Sequence, residues 1–99
     1  EAVRRLTSAP ARIMGLSDRG TLQTGMRADI NIIDLENLRE EMPEIHNNFP
    51  FGSPHFLQGA SGYKATICNG TVILRDDKLT GERPGEIIRN PAAMAMAAE

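Results

Sequence analysis

Three kinds of side chain in this chain could do chemistry: the imidazoles of His46 and His55, the thiol of Cys68, and the carboxylates of Asp29, Asp76 and Asp77. Imidazole and thiolate are the natural ligands of zinc, which usually draws on closely spaced pairs of them. The two histidines stand nine positions apart in a Pro/Gly-rich stretch, and the cysteine falls in a β-rich run. That spacing favours surface or loop-packing histidines over a dedicated metal site. Cys68 could serve as a nucleophile if a base lay beside it, but nothing local activates it, and a half-buried strand residue is the better reading. Asp76 and Asp77 are adjacent acids at a turn, where such residues are ordinary turn formers. Gly20 and Gly25 have the look of half a phosphate loop, yet no Lys-Ser/Thr follows and the next element reads as a strand. Asp29 reads as an exposed acid facing turn amides. No nucleophile, base and electrophile converge, so the sequence assigns no catalytic, cofactor-binding or metal-binding residue to this chain.

The elements that would position these groups are legible in outline. Residues 1–16 read as helix in two pieces. Val3 and Leu6 share one face, Ile13 and Met14 give the second piece an apolar side, and Thr7-Ser8-Ala9-Pro10 breaks and restarts the helix. Thr7 or Ser8 would cap the restart and Gly15 would end it. From Gly20 to Asp34 the chain reads as an extended piece, a glycine turn and a buried strand over 28–34. Asn69-Gly70 between β-rich runs predicts a two-residue hairpin. Its expected register pairs Cys68 with Thr71, Ile67 with Val72 and Ala65 with Leu74, which gathers four apolar residues on one face. Asp76-Asp77-Lys78 should turn into another short extended piece, and Glu86-Ile87-Ile88-Arg89 reads as a final strand or strap. Residues 38–62 read as one long irregular loop. It carries or borders every aromatic residue, Phe49, Phe51, Phe56 and Tyr63, as if they dock onto something else.

Composition bounds the rest. With 99 residues and 40% hydrophobic content, the chain supports one small domain at most. A net charge of −2 argues against a nucleic-acid binder. The charge is uneven: residues 1–29 hold five Arg and three acids, whereas 34–44 hold five acids and one Arg, which reads as two differently solvated faces. The single cysteine excludes an internal disulfide and fits a reducing, cytoplasmic setting. No apolar run reaches the length of a membrane span, and no signal peptide is visible. The chain opens on Glu1, already inside a helical pattern, which suggests a segment of something longer. Ala92–Ala98 reads as a frayed or weakly helical tail.

Several motifs together resemble the C-terminal region of amidohydrolase-superfamily enzymes. They are Val3-Arg4-Arg5-Leu6-Thr7-Ser8-Ala9-Pro10-Ala11, Gly15-Leu16, Asp18-Arg19-Gly20 and Gly25-Met26-Arg27-Ala28-Asp29. Gly62-Tyr63-Lys64-Ala65-Thr66-Ile67-Cys68-Asn69-Gly70, Leu79-Thr80-Gly81-Glu82-Arg83-Pro84-Gly85 and Arg89 narrow this toward N-acyl-D-amino-acid deacylases (D-aminoacylases). The resemblance implies a mainly β fold with a short N-terminal helical region: a last barrel-type helical segment (1–16), part of a composite β-sandwich (17–90) and a flexible tail (91–99). The parent would be a zinc-dependent (β/α)₈ barrel that hydrolyses the amide of N-acyl-D-amino acids, its metal ligands and catalytic acid lying outside this chain. The implied partners are that barrel and the N-terminal strands that complete the sandwich, with a second copy as another cover for open sheet edges. No nucleic acid or membrane is implied. The segment alone is expected to be inactive. A dihydropyrimidinase- or dihydroorotase-like enzyme and a stand-alone interaction module are the alternatives.

Overall fold

The computed structural model describes residues 1–89, in the order helix, helix, eight strands; the expected Ala92–Ala98 tail lies outside the described residues. Helices α1 (Ala2–Leu6) and α2 (Ser8–Ile13) meet at Thr7, as the Ser-Ala-Pro restart requires. Thr7 does not cap α2 through its side chain. Its hydroxyl instead donates to the Val3 carbonyl, closing α1. Gly15 ends the pair at φ 73, a left-handed conformation that glycine adopts without Cβ strain.

A four-stranded antiparallel sheet follows in the order β1-β6-β7-β8. Strands β1 (Ile30–Ile33), β6 (Tyr63–Cys68) and β7 (Thr71–Arg75) form its body, and β8 (Lys78–Leu79) is a short edge. The Asn69-Gly70 turn is as expected, with Asn69 and Gly70 both at positive φ and Cys68 opposite Thr71. The predicted register then fails after Ile67 and Val72. Ala65 faces Arg75 rather than Leu74, because Ile73 is an extra residue on β7. The cause of this bulge lies outside the β6–β7 pairing itself. Thr80 N–H pairs with the Ile73 carbonyl, and the shift lets Asp76 N–H and Asp77 N–H reach the Lys64 and Tyr63 carbonyls. The Asp77 carboxylate then accepts from the amides of Gly62 (3.0 Å) and Tyr63 (2.9 Å).

Residues 38–62 are not an irregular loop. Arg39–Glu40 (β2) pairs with Ala60–Ser61 (β5), and Glu44–His46 (β3) pairs with His55–Leu57 (β4). The four short strands build a two-stranded arm, closed at its tip by a 3₁₀ turn over Pro50–Gly52. Phe56 therefore lies in β4 and Tyr63 in β6, which corrects the reading of a loop that carries or borders every aromatic residue. Residues 86–89 form no strand; they run as a strap along the cleft described below.

Little of this surface is covered. Ala11 is the only buried residue among those described. Strand β1, expected to be buried, leaves Ile32 and Ile33 exposed, and α1 and α2 leave Val3, Leu6 and Ile13 exposed. The substantial contacts between elements are those of paired strands and of the two helices with each other. The apolar positions follow the pattern of a packed domain, yet among the described residues no second layer lies against them.

Candidate functional site

A cleft of about 430 Å³ lies between the connector after α2, the β6–β7 turn and the strap. Its polar lining includes Asp18, Arg19, Arg27, Asp29, Cys68 and Glu86. The connector reaches the sheet through these charges. Arg19 pairs with Asp18 (3.0 Å) and Asp29 (3.6 Å), and Arg27 with Asp18 (3.3 Å) and Glu86 (3.8 Å). Arg27 N–H also donates to the Asp18 carbonyl at 2.7 Å. The Arg19 guanidinium, bonded to Asp18, holds that carboxyl below its usual range, with Arg27 adding to the effect. The same bond raises Arg19, assisted by the nearby Asp29 charge.

Asp18, Arg19, Arg27, Asp29 and Glu86 are joined by these pairs. Asp29, one of the acids considered from sequence, also accepts the Asn69 amide at 2.8 Å, and Gly70 N–H donates to the Ala28 carbonyl. Asp29 therefore pins the hairpin turn to the start of β1, which is the turn-amide role expected for it. Its carboxylate oxygens are thus directed at the Arg19 guanidinium and at the turn amide. Cys68 reaches the cleft but lacks a base: both histidines sit on the arm, and neither hydrogen-bonds it among the described residues. The cleft is an ionic seam that fixes the connector and strap to the sheet.

The other candidates fall elsewhere. Asp76 and Asp77 form the β7–β8 turn at positive φ, and Asp77 caps two amides as described. Gly20 and Gly25 are turn residues at φ 97 and 89. At Gly20 a Cβ would meet the Ala11 Cβ at 2.8 Å, so this glycine lets the connector lie against α2. His46 and His55, distant in sequence, are direct cross-strand partners on the arm, with ring centroids 6.3 Å apart. Spacing along the chain did not reveal that pairing. The alternation Glu44-x-His46 opposite His55-x-Leu57 was the available signal. A hydrolytic zinc draws on three protein ligands and one open position. Among the described residues no group of three or more His, Cys, Asp or Glu gathers in that way, so the residues present do not fit such an ion and no hydrolytic step runs through them. Among the described residues no helix is long and apolar enough to cross a membrane.

Against this geometry the comparison with known proteins is decisive at one level. Residues 1–74 match the amidohydrolase family. The chain belongs to the amidohydrolase family. An N-acyl-D-glutamate deacylase from Alcaligenes xylosoxydans xylosoxydans is 30% identical over 98 residues, covering 99% of this chain and 18% of that protein. A dihydroorotase from Endomicrobium trichonymphae is 38% identical over 77 residues, covering 74% of this chain and 18% of that protein. An N-acyl-D-aspartate deacylase from the same Alcaligenes is 28% identical over 87 residues, covering 88% of this chain and 16% of that protein. This amidohydrolase chain thus spans less than a fifth of the length of these relatives. No solved structure matches it. The family match covers the helices, the Asp18–Asp29 part of the ionic seam, the arm and the Asn69-Gly70 turn, and it stops at Leu74, before the strap.

Proposed function

We propose that this chain is the non-catalytic C-terminal β-segment of a metal-dependent amidohydrolase, most like those that hydrolyse N-acyl-D-amino acids. The observation that carries the reading is the mismatch between pattern and burial. The sequence matches an enzyme family over residues 1–74, yet the only buried residue described is Ala11. A segment with amphipathic helices and an uncovered sheet stabilises itself by packing on the rest of a larger protein. Its work is structural. The helices join the barrel to the accessory sheet, the Arg19–Asp29 seam holds that junction, and β1 offers its free edge to strands from elsewhere in the parent. The arm projects from this base with Phe49, Phe51 and Phe56 exposed, and it shapes the mouth of the parent's active site or a subunit contact. The parent's zinc would lower the pKa of its bound water and polarise the amide carbonyl.

The test is an assay of the longer polypeptide that carries this chain, with N-acetyl-D-glutamate, N-acetyl-D-aspartate and dihydroorotate side by side. Turnover of the acyl-D-amino acids supports the reading. A coding sequence that starts immediately before Glu1 would overturn it in favour of a stand-alone module. A dihydroorotase-type parent is the second reading, supported by the dihydroorotase relative at 38% identity; turnover of dihydroorotate alone would establish it.

A further inference from the structure

The arm carries a pair of groups that the structural role leaves unexplained. Side chains alternate between the two faces of a strand pair. The observed register, with Glu44 opposite Leu57, Ile45 opposite Phe56 and His46 opposite His55, sorts β3 and β4 into an apolar face (Ile45, Phe56) and a face holding Glu44 and both histidines. These are the only two histidines of the chain. Backbone pairing fixes them opposite one another, and His55 is further held by stacking on Phe49, with centroids 4.0 Å apart and planes 6° from parallel.

We propose that His46 and His55 form a two-imidazole site for a late divalent transition-metal ion, Cu²⁺, Ni²⁺ or Zn²⁺. Imidazole suits all three, with copper the tightest of them. The dimensions agree. A metal–nitrogen bond of ~2.1 Å, and about 1.1 Å more from nitrogen to ring centre, places each centroid ~3.2 Å from a shared ion. Two rings can then share an ion when their centroids lie within ~6.4 Å. The observed 6.3 Å is just inside that limit. His46 is the unstacked ring, and turning it inward closes the angle toward tetrahedral.

The hydrogen bonds orient the donors as well. The His46 Nε2 lies 3.3 Å from Glu44 Oε2, and the His55 Nε2 meets the Asn48 side-chain carbonyl. A ring that donates through Nε2 to such an acceptor keeps its Nδ1 lone pair for a metal ion. A metal-binding histidine typically gives its other N–H to a carboxylate or carbonyl in this manner. No third His, Cys, Asp or Glu completes the set among the described residues, so water fills the remaining positions. The site is therefore open and of moderate affinity, and it is separate from any hydrolytic zinc.

The experiment is a titration of the longer polypeptide that carries this chain, in a Cys68→Ser background and read as the difference from the His46→Gln/His55→Gln double variant. Ni²⁺ is followed by calorimetry and Cu²⁺ by proton NMR of the two imidazole rings, assigned by that difference. The expected result is one equivalent of Ni²⁺ bound and simultaneous broadening of both rings at substoichiometric Cu²⁺. His46→Gln and His55→Gln should each weaken binding at least tenfold, and Glu44→Gln by about tenfold. Each histidine variant removes half of the site independently, so either one is decisive if the other is misfolded. Equal affinity in wild type and in the His46→Gln/His55→Gln double variant, or broadening of one ring alone, would overturn the proposal.

Discussion

Gly62→Ala tests whether the arm is held at its root by a single close backbone approach. Gly62 sits where β5 hands over to β6, and its carbonyl accepts the Asp34 amide at 2.8 Å. Its φ is +101, and an added Cβ would lie 2.6 Å from Leu38 Cα and 2.9 Å from the Asn37 carbonyl oxygen. Both neighbours are backbone and cannot swing aside. Two costs follow. A non-glycine residue at positive φ costs about 1–2 kcal/mol, and forcing atoms into filled space costs about 1–3 kcal/mol more. The restricted unfolded chain returns about 0.4–1 kcal/mol. Gly25→Ala is the matched control, because its φ is +89 and a Cβ there meets nothing within 4 Å. Backbone strain and the unfolded-state gain are nearly common to the two variants. The difference between them therefore isolates the steric part, expected at about 1–3 kcal/mol. Urea unfolding of each variant measures it, and the slope with denaturant should not change. Amide exchange should localise the damage, with Glu40 and Ala60 of the β2–β5 pair losing protection before Ile67 and Val72. Equal midpoints for the two variants would refute the claim that the arm is clamped at Gly62.

Three further outcomes follow from the same structure. The amides of Gly62 and Tyr63 hold the Asp77 carboxyl below its usual range, so its contribution to stability is present above pH ~4 and lost as the pH falls through the depressed native value; Asp77→Asn keeps the turn geometry and should flatten that part of the acid-unfolding profile. Replacing Phe49, Phe51 and Phe56 by Ser in the longer polypeptide should impair its folding, assembly or activity, because all three side chains are exposed in this chain; unchanged oligomer mass, melting temperature and kinetics would remove the docking role of the arm. The folded chain on its own should self-associate through the β1 edge and the uncovered sheet, and light scattering that gives a monomer mass at about 100 µM would count against this.

What could be read from the sequence depended on how local the cause was. The helix break at Thr7–Pro10 and the Asn69-Gly70 turn each follow from a few adjacent residues, and both stand where expected. The bulge at Ile73 could not be read from the hairpin. The simple register satisfies the apolar pattern better, and it loses because Thr80 and the Asp76-Asp77 turn supply hydrogen bonds from outside the β6–β7 pair. The arm was hidden for another reason. Its strands are two or three residues long, too short for alternation to show, and its prolines and glycines read as loop. The pairing of Arg39 with Ser61 is set by the close approach at Gly62, which no local window contains.

The same logic explains the site reading. The expectation that no nucleophile–base pair converges was argued from residue types alone, whereas the His46–His55 pairing depended on a register only the fold supplies. Burial was the least legible quantity. Ile32, Ile33, Val3 and Leu6 have the spacing of core residues, and sequence spacing records which face is apolar without recording what covers it. Among the described residues nothing buries that face. A chain less than a fifth the length of its relatives can keep the pattern of a core whose other half is carried by different residues. If so, restoring the missing layer should protect the amides of β1 and β6 from exchange while leaving the arm tip, which needs no such cover to hold its register, unchanged.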